Sequence, residues 1–501
     1  MRAAFRCMCA LVLGAGPALV RAAPFDFEAL QRRARELAAA AYRAPASTVP
    51  DGLKKFTYDD YQMINFDAAH SWWRREGLPF ELQFFHPGWL YTQTVQVNEL
   101  VQGEPGRIPF SPGLFRYGGR KPWHVPADMG FAGFRVLNAL NRRDKMDELA
   151  VFLGASYFRA LGRDMRYGLS ARGIALDTAE PGGEEFPSFR EFWVERPAAG
   201  ASALALFALM DGPSVTGAYR FVITPGADTV IRVRAVVFCR RNPAVFGVAP
   251  LTSMFAHGEN TGWARDDYRP EVHDSDGLLV ATGTGEWIWR PLANPRTVRV
   301  ASFLDRAPRG FGLLQRDRVF EHYDDLEAYY QQRPSAWVEP VGDWGAGAVR
   351  LVELPTPDET NDNIVAFWVP AQLPAPGEPI TFEYNLHWFL DPVRRPPAGF
   401  VTSTRTAAVL GRPALRRFVL EFDGPYLRRE PDDSAIEAVV TVLAGAHQDG
   451  AAVVQKNRFS GTWRVAFEIA PEPGGKPVEL RCFLRKGQHV LTETWSYLWN
   501  P

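Results

Sequence analysis

Between Asp228 and Cys239 the chain alternates: Ile231, Val233, Ala235 and Val237 are apolar, while Arg232 and Arg234 between them are charged. A period of two predicts a strand with one buried and one solvated face. The same alternation, or a short apolar run bounded by Gly, Pro, Asp or Asn, recurs at 219–224, 297–304, 348–354, 363–369 and 381–389. It appears again at 417–422, 438–443 and 463–469. Helical spacing is confined to two places. Asp26 can cap a helix carrying Phe27, Leu30, Ala34, Leu37 and Ala41, and a second helix is expected from Asp144 through Met146, Leu149, Ala150 and Leu153. The pattern predicts a mainly β protein: a large sandwich over 23–390, a proline-rich charged connector over 391–399, and a smaller immunoglobulin-like sandwich over 400–501. No fixed-period repeat is present, which disfavours solenoids and propellers.

Composition narrows the functional classes. Of 501 residues, 46% are hydrophobic and 23% charged, enough apolar content for a large core. Lys+Arg 56 against Asp+Glu 57 gives a net charge of -1, so no global positive field exists to hold nucleic acid. Arg2 and Arg6 precede an apolar run from Cys9 to Val20, and small residues follow, which reads as a signal peptide cleaved near Ala22. That run falls short of the roughly 20 residues needed to span a bilayer, so a soluble exported protein is expected. Losing Arg2, Arg6 and Arg21 takes the basic count from 56 to 53 against 57 acids, a charge of -4. Cys239 and Cys482 lie in strand-like runs and read as buried free thiols.

Familiar catalytic motifs are missing. The nine histidines include no pair at zinc-binding spacing, Gly168 to Arg172 departs from a nucleophile elbow, and Gly283-Thr284-Gly285 opens no helix. Neither metal nor cofactor is expected. What remains is an interleaving of acids, amides and indoles at 266–277, 286–290, 337–345 and 355–363. Indole faces stack on the C–H faces of sugar rings, and carboxylates or arginines meet their hydroxyls. The same residue types also make ordinary turns and cores, and composition alone leaves both readings open.

The ordered runs 131–137, 153–159, 168–173, 183–187, 249–255, 268–275, 310–316, 359–366 and 493–497 resemble the periplasmic glucan biosynthesis proteins G and D. The likeness spans almost the whole chain after the signal segment. Arg2 and Arg6 are not adjacent, which favours general secretion over a twin-arginine route and the G type over D. The resemblance implies a galactose-mutarotase-like β-sandwich joined to an immunoglobulin-like domain, a periplasmic location, and work on osmoregulated β-1,2-linked glucans. For some members it implies inverting endo-β-1,2-glucanase activity, with Asp362 as general acid and Asp274 as base. Asp362 is expected to have a raised pKa, and Asp274, in a more polar loop, to stay ionised. Asp276, Asp358 and Glu359 are rivals for these roles. Tyr268, Arg269, Trp287, Trp289, Trp337, Trp344 and Glu359 are candidates for the substrate groove. The alternative is a non-catalytic scaffold that binds nascent glucan and passes it to a membrane glucosyltransferase or branching enzyme.

Overall fold

The computed structural model describes residues 25–118, 125–262, 266–390, 396 and 398–501. The predicted signal segment, and residues 391–395 and 397 of the predicted connector, lie outside the described residues. Among those described, strands dominate and gather into two large sheets of ten and fifteen strands, with a four-stranded sheet near the C-terminus. The alternating stretch is the strand Thr229–Cys239, which pairs antiparallel with Val215–Thr224 and with Pro379–Phe389. Its Ile231, Val233, Ala235 and Val237 are buried and its Arg232 and Arg234 are exposed, as the period of two requires.

The two large sheets pack face to face. Phe134, Phe152 and Phe158 of the ten-stranded sheet meet Phe192 and Phe221 of the fifteen-stranded sheet edge to face, with centroids 5.0–5.6 Å apart. Each ring is buried. Burial stabilises by about 1.5–3 kcal/mol per Phe side chain, and the edge-to-face geometry adds about 0.5–1.5 kcal/mol per pair.

The helix Phe27–Ala39 forms where expected. Asp26 Oδ1 accepts from the Ala29 N–H at 2.7 Å, and Leu30 and Ala34 bury against the outer face of the large sheet beside Trp193 and Phe207. The helix expected at Asp144 is instead the strand Lys145–Leu153, paired with Gly133–Arg142 and Tyr157–Ala160. Leu149, Ala150, Val151 and Phe152 are all buried, so the apolar run serves both faces of an enclosed strand. Its three-to-four spacing is incidental to that.

From Phe400 onward a second sandwich forms. One side is the sheet of Phe400–Val409, Arg412–Asp423, Trp463–Pro471 and Ala446–Lys456; the other holds Glu437–Val442, Val478–Lys486 and Thr494–Trp499. That second side is not separate from the rest of the chain. Thr494–Trp499 pairs in parallel with Trp287–Pro291 and so extends the fifteen-stranded sheet. Leu279, Trp289, Leu314 and Trp337 share one core with Phe418, Phe467, Trp463 and Trp495. Cys239 and Cys482 are both buried and free, and burial pushes the Cys239 thiol up to about 11.

Candidate active site

Asp274 and Asp362 come from loops far apart in sequence that attach to the same three residues. The strand Phe246–Ser253 runs on through Met254 to Phe255–His257, which pairs with Val272–His273. Next along, the Asp274 N–H donates to Met254 O at 2.8 Å, and the Ser275 and Ser253 hydroxyls meet at 2.8 Å. From the other side Asn363 donates its N–H to Ser253 O at 3.1 Å. Its buried side chain accepts from the Phe255 N–H at 2.8 Å and donates to Phe255 O and Leu354 O at 3.0 Å. Ser253–Phe255 is thus a common rail for both loops. An interior amide bonded on each of its polar atoms holds its neighbour Asp362 in place.

The two carboxyls occupy different settings. Asp362 is on the exposed side of its loop but crowded by protein. The resulting loss of hydration, then the negative charge of Asp274, push its pKa up to about 6, against the pull of Arg172, Arg159 and Arg333. Asp274 is buried and paired directly with the Arg333 guanidinium. Burial pushes its carboxyl up, and Arg333, His273 and Arg159 oppose that. The expected polar setting for Asp274 is therefore a buried one that leaves its carboxyl above the usual range, with a dedicated arginine as the main force favouring ionisation. Arg333 is itself held over the Tyr330 ring at 4.3 Å.

Behind Asp274 lies a polar cluster. Gln315 donates to His273 O at 2.9 Å and Tyr330 O at 3.3 Å, which turns its amide oxygen toward His273 Nδ1 at 2.9 Å. His273 Nε2 lies 2.8 Å from Glu271, and Asp276 is 3.6 Å away. Burial works against charge on His273, but the Glu271 hydrogen bond and the Asp276 and Glu271 charges outweigh it and raise the imidazole to about 9. Glu271, His273 and Asp276 could present ligand atoms to one ion, as could Glu271, Asp317 and His322. These atoms already satisfy one another, since Glu271 meets His273 and Asp317 meets His322, and the hydrogen bonds account for the geometry.

The remaining candidates separate by burial. Arg269 joins three acids: Asp267 at 2.9 Å, Asp325 at 3.0 Å and, through both arms, Glu359 at 2.9 and 2.5 Å. It ties the 266–269 and 355–363 loops together, and Tyr268 beside it is 77% exposed. Asp358 is exposed and turns back onto the Thr360 N–H and hydroxyl, which hold its carboxyl below the usual range. Asp276 is committed to the Asp317 N–H at 2.8 Å and to the Arg316 N–H.

The tryptophans sort differently from the groove expectation. Trp289, Trp337 and Trp344 are 3%, 2% and 7% exposed, and their faces are covered by protein. Trp289 lies under Arg316, Trp337 stacks on Trp287 at 5.8 Å, and Trp344 packs on Trp368, Phe382 and Tyr384. Two surface depressions are lined by neighbouring segments. One of about 390 Å³ is lined by Leu90, Tyr91, Leu153, Tyr157, Arg159 and Ser170. Another of about 350 Å³ is lined by His257, Asp267, Arg269, Asp358 and Glu359. Arg159, Arg172 and Arg333 carry no local signal of a site role in the sequence, although the first two fall within the ordered runs 153–159 and 168–173.

A family model for the periplasmic glucan biosynthesis protein MdoG matches residues 25–499. The chain belongs to the periplasmic glucan biosynthesis protein family. It is 48% identical to glucans biosynthesis protein G of Ralstonia nicotianae, covering 95% of this chain and 96% of that one. It is 45% identical to glucans biosynthesis protein D 1 of the same organism, covering 97% and 93%. Glucans biosynthesis protein G of Pseudomonas paraeruginosa is 44% identical over 94% and 92%. As a member of the MdoG family the chain has a role in periplasmic glucan biosynthesis. No helix among its described residues is long and apolar enough to cross a membrane.

Proposed function

We propose that this member of the family works on the β-1,2-glucan backbone as an inverting endo-β-1,2-glucanase in the periplasm. Asp362 is the general acid and Asp274 the base. The observation that carries this reading is the contrast between the two carboxyls. Asp362, crowded and beside a like charge, keeps its proton up to about pH 6, while Asp274, whose carboxyl burial also raises, has a direct ion pair with Arg333 to favour its charged form. Inversion needs that division: one carboxyl protonates the leaving oxygen while the other activates water on the opposite face of the ring. A surface depression that Asp358 and Glu359 line on the Asp362 loop gives a sugar room beside that loop.

One feature favours the alternative, a glucan-binding scaffold that serves a membrane glucosyltransferase. Arg333 clamps Asp274 in a buried ion pair, and a carboxylate so held is a weaker base. Incubating the purified protein with linear β-1,2-glucan, with laminarin and cello-oligosaccharides as controls, decides between them. Shortening of the β-1,2 polymer alone, lost in Asp362→Asn, is the expected result. Glucan binding without cleavage at high protein concentration refutes the hydrolase.

A further inference from the structure

Asp274 stands at one end of a chain of contacts whose other end is the C-terminal sandwich. The Glu493 side chain is wholly buried and takes both arms of Arg316, at 2.6 and 2.9 Å. The same carboxylate accepts from the Val401 N–H at 2.8 Å, and Arg316 donates to Val401 O at 2.8 Å. The Arg316 guanidinium also lies 3.6 Å from the centroid of Trp289. The side chain of Arg316 is therefore gripped from three directions.

Its main chain does the reaching. The N–H groups of Arg316 and Asp317 converge on one oxygen of Asp276, and the Asp276 N–H returns to Leu314 O at 2.8 Å. Gln315, between them, receives His273 Nδ1. The turn 273–276 that presents Asp274 is thus joined by five hydrogen bonds to 314–317, and 314–317 is anchored by Glu493 and Val401. We infer that Glu493 and Arg316 form a positioning pair for Asp274, so that the C-terminal sandwich sets the geometry of the base. Neither residue touches the reacting atoms. Catalysis depends on placement to within about an ångström, so a loosened turn lowers the rate without weakening contacts to the glucan elsewhere in the groove.

The inference rests on the hydrolase reading for its kinetic consequence but not for its structural one. Two measurements on the full chain keep these apart, made on Glu493→Gln, which preserves shape, and on Arg316→Lys, which preserves charge and loses the fork. Hydrogen–deuterium exchange well below the melting temperature is expected to rise in peptides covering 272–277 in both variants. With linear β-1,2-glucan, kcat is expected to fall about 10- to 100-fold in Glu493→Gln with KM within about twofold of wild type. A purely structural role lowers the melting temperature yet leaves exchange at 272–277 and kcat where they were, and that result overturns the inference. If the wild-type protein cleaves no glucan, the hydrolase reading fails, and the exchange data alone decide whether Glu493 holds the turn.

Discussion

A general acid has to hold its proton, and an aspartic acid with the ordinary value of 3.8 is protonated in only about one molecule in 1,600 at pH 7. At about 6, Asp362 is protonated in about one in ten, roughly a hundredfold gain in competent protein. The sign of the pH dependence follows. Activity governed by this acid holds below about pH 6 and falls about tenfold for each pH unit above it. Crowding raises the value most, Asp274 adds to it, and Arg172, Arg159 and Arg333 lower it. Arg159 gives a usable perturbation, because it lies over Tyr167 and makes no direct ion pair with Asp274. Arg159→Gln removes one of the cations that favour the carboxylate, so the alkaline limb moves to higher pH. The assay is kcat/KM for soluble linear β-1,2-glucan between pH 4 and 8, which reports ionisations of the free protein. A limb near pH 4, or one that stays in place in Arg159→Gln, refutes the reasoning.

Two further outcomes are expected. Trp289→Ala and Trp344→Ala should each lower stability by about 3–5 kcal/mol in urea denaturation, because both rings fill cores; Tyr268→Ala, at an exposed ring, should stay within about 0.5 kcal/mol. Glu259, which bonds Ser403, Thr404 and Arg405, is raised by burial from 4.5 to about 7, so the folded protein keeps a proton that the unfolded chain loses. Its contribution is complete below pH 4.5 and is lost as pH rises to about 7; the melting temperature should decline across that window, and Glu259→Gln should flatten the decline.

How much of this could be read from the sequence depends on the range of the interaction involved. Thr229–Cys239 was legible because alternation is local and its two faces meet different surroundings. Lys145–Leu153 was misread because both its faces are enclosed, which erases the alternation and leaves a helix-like spacing. Asp274 and Asp362 could be nominated from their ordered runs. Their unequal settings could not, since these depend on Arg333 reaching Asp274, and Asn363 reaching the Ser253–Phe255 rail, from distant segments. The tryptophans show the opposite failure. An indole beside acids and glycines looks like a sugar platform, and only the packing of two sheets and the C-terminal sandwich shows that Trp289, Trp337 and Trp344 are interior.

The proposed division between acid and base rests on which carboxylate has an arginine of its own. Three guanidinium groups act on this site, yet their partners differ. Arg333 is joined to Asp274, while Arg172 is committed to Glu184 at 2.5 Å and Thr252 at 2.8 Å and stacks on Tyr157 at 4.8 Å. Arg159 lies over Tyr167 at 4.4 Å. Asp362 feels all three only at a distance, and among the described residues no hydrogen bond stabilises its carboxylate. Dehydration therefore prevails at both carboxyls, and at Asp274 a direct partner offsets part of it. Asn363 completes the arrangement by taking up the backbone groups around the rail, so that the exposed Asp362 beside it is not needed to satisfy the fold. A carboxyl released from structural duty in this way can exchange its proton with a ligand, whereas Asp276, bound to two backbone N–H groups, cannot do so without loosening the turn that holds Asp274.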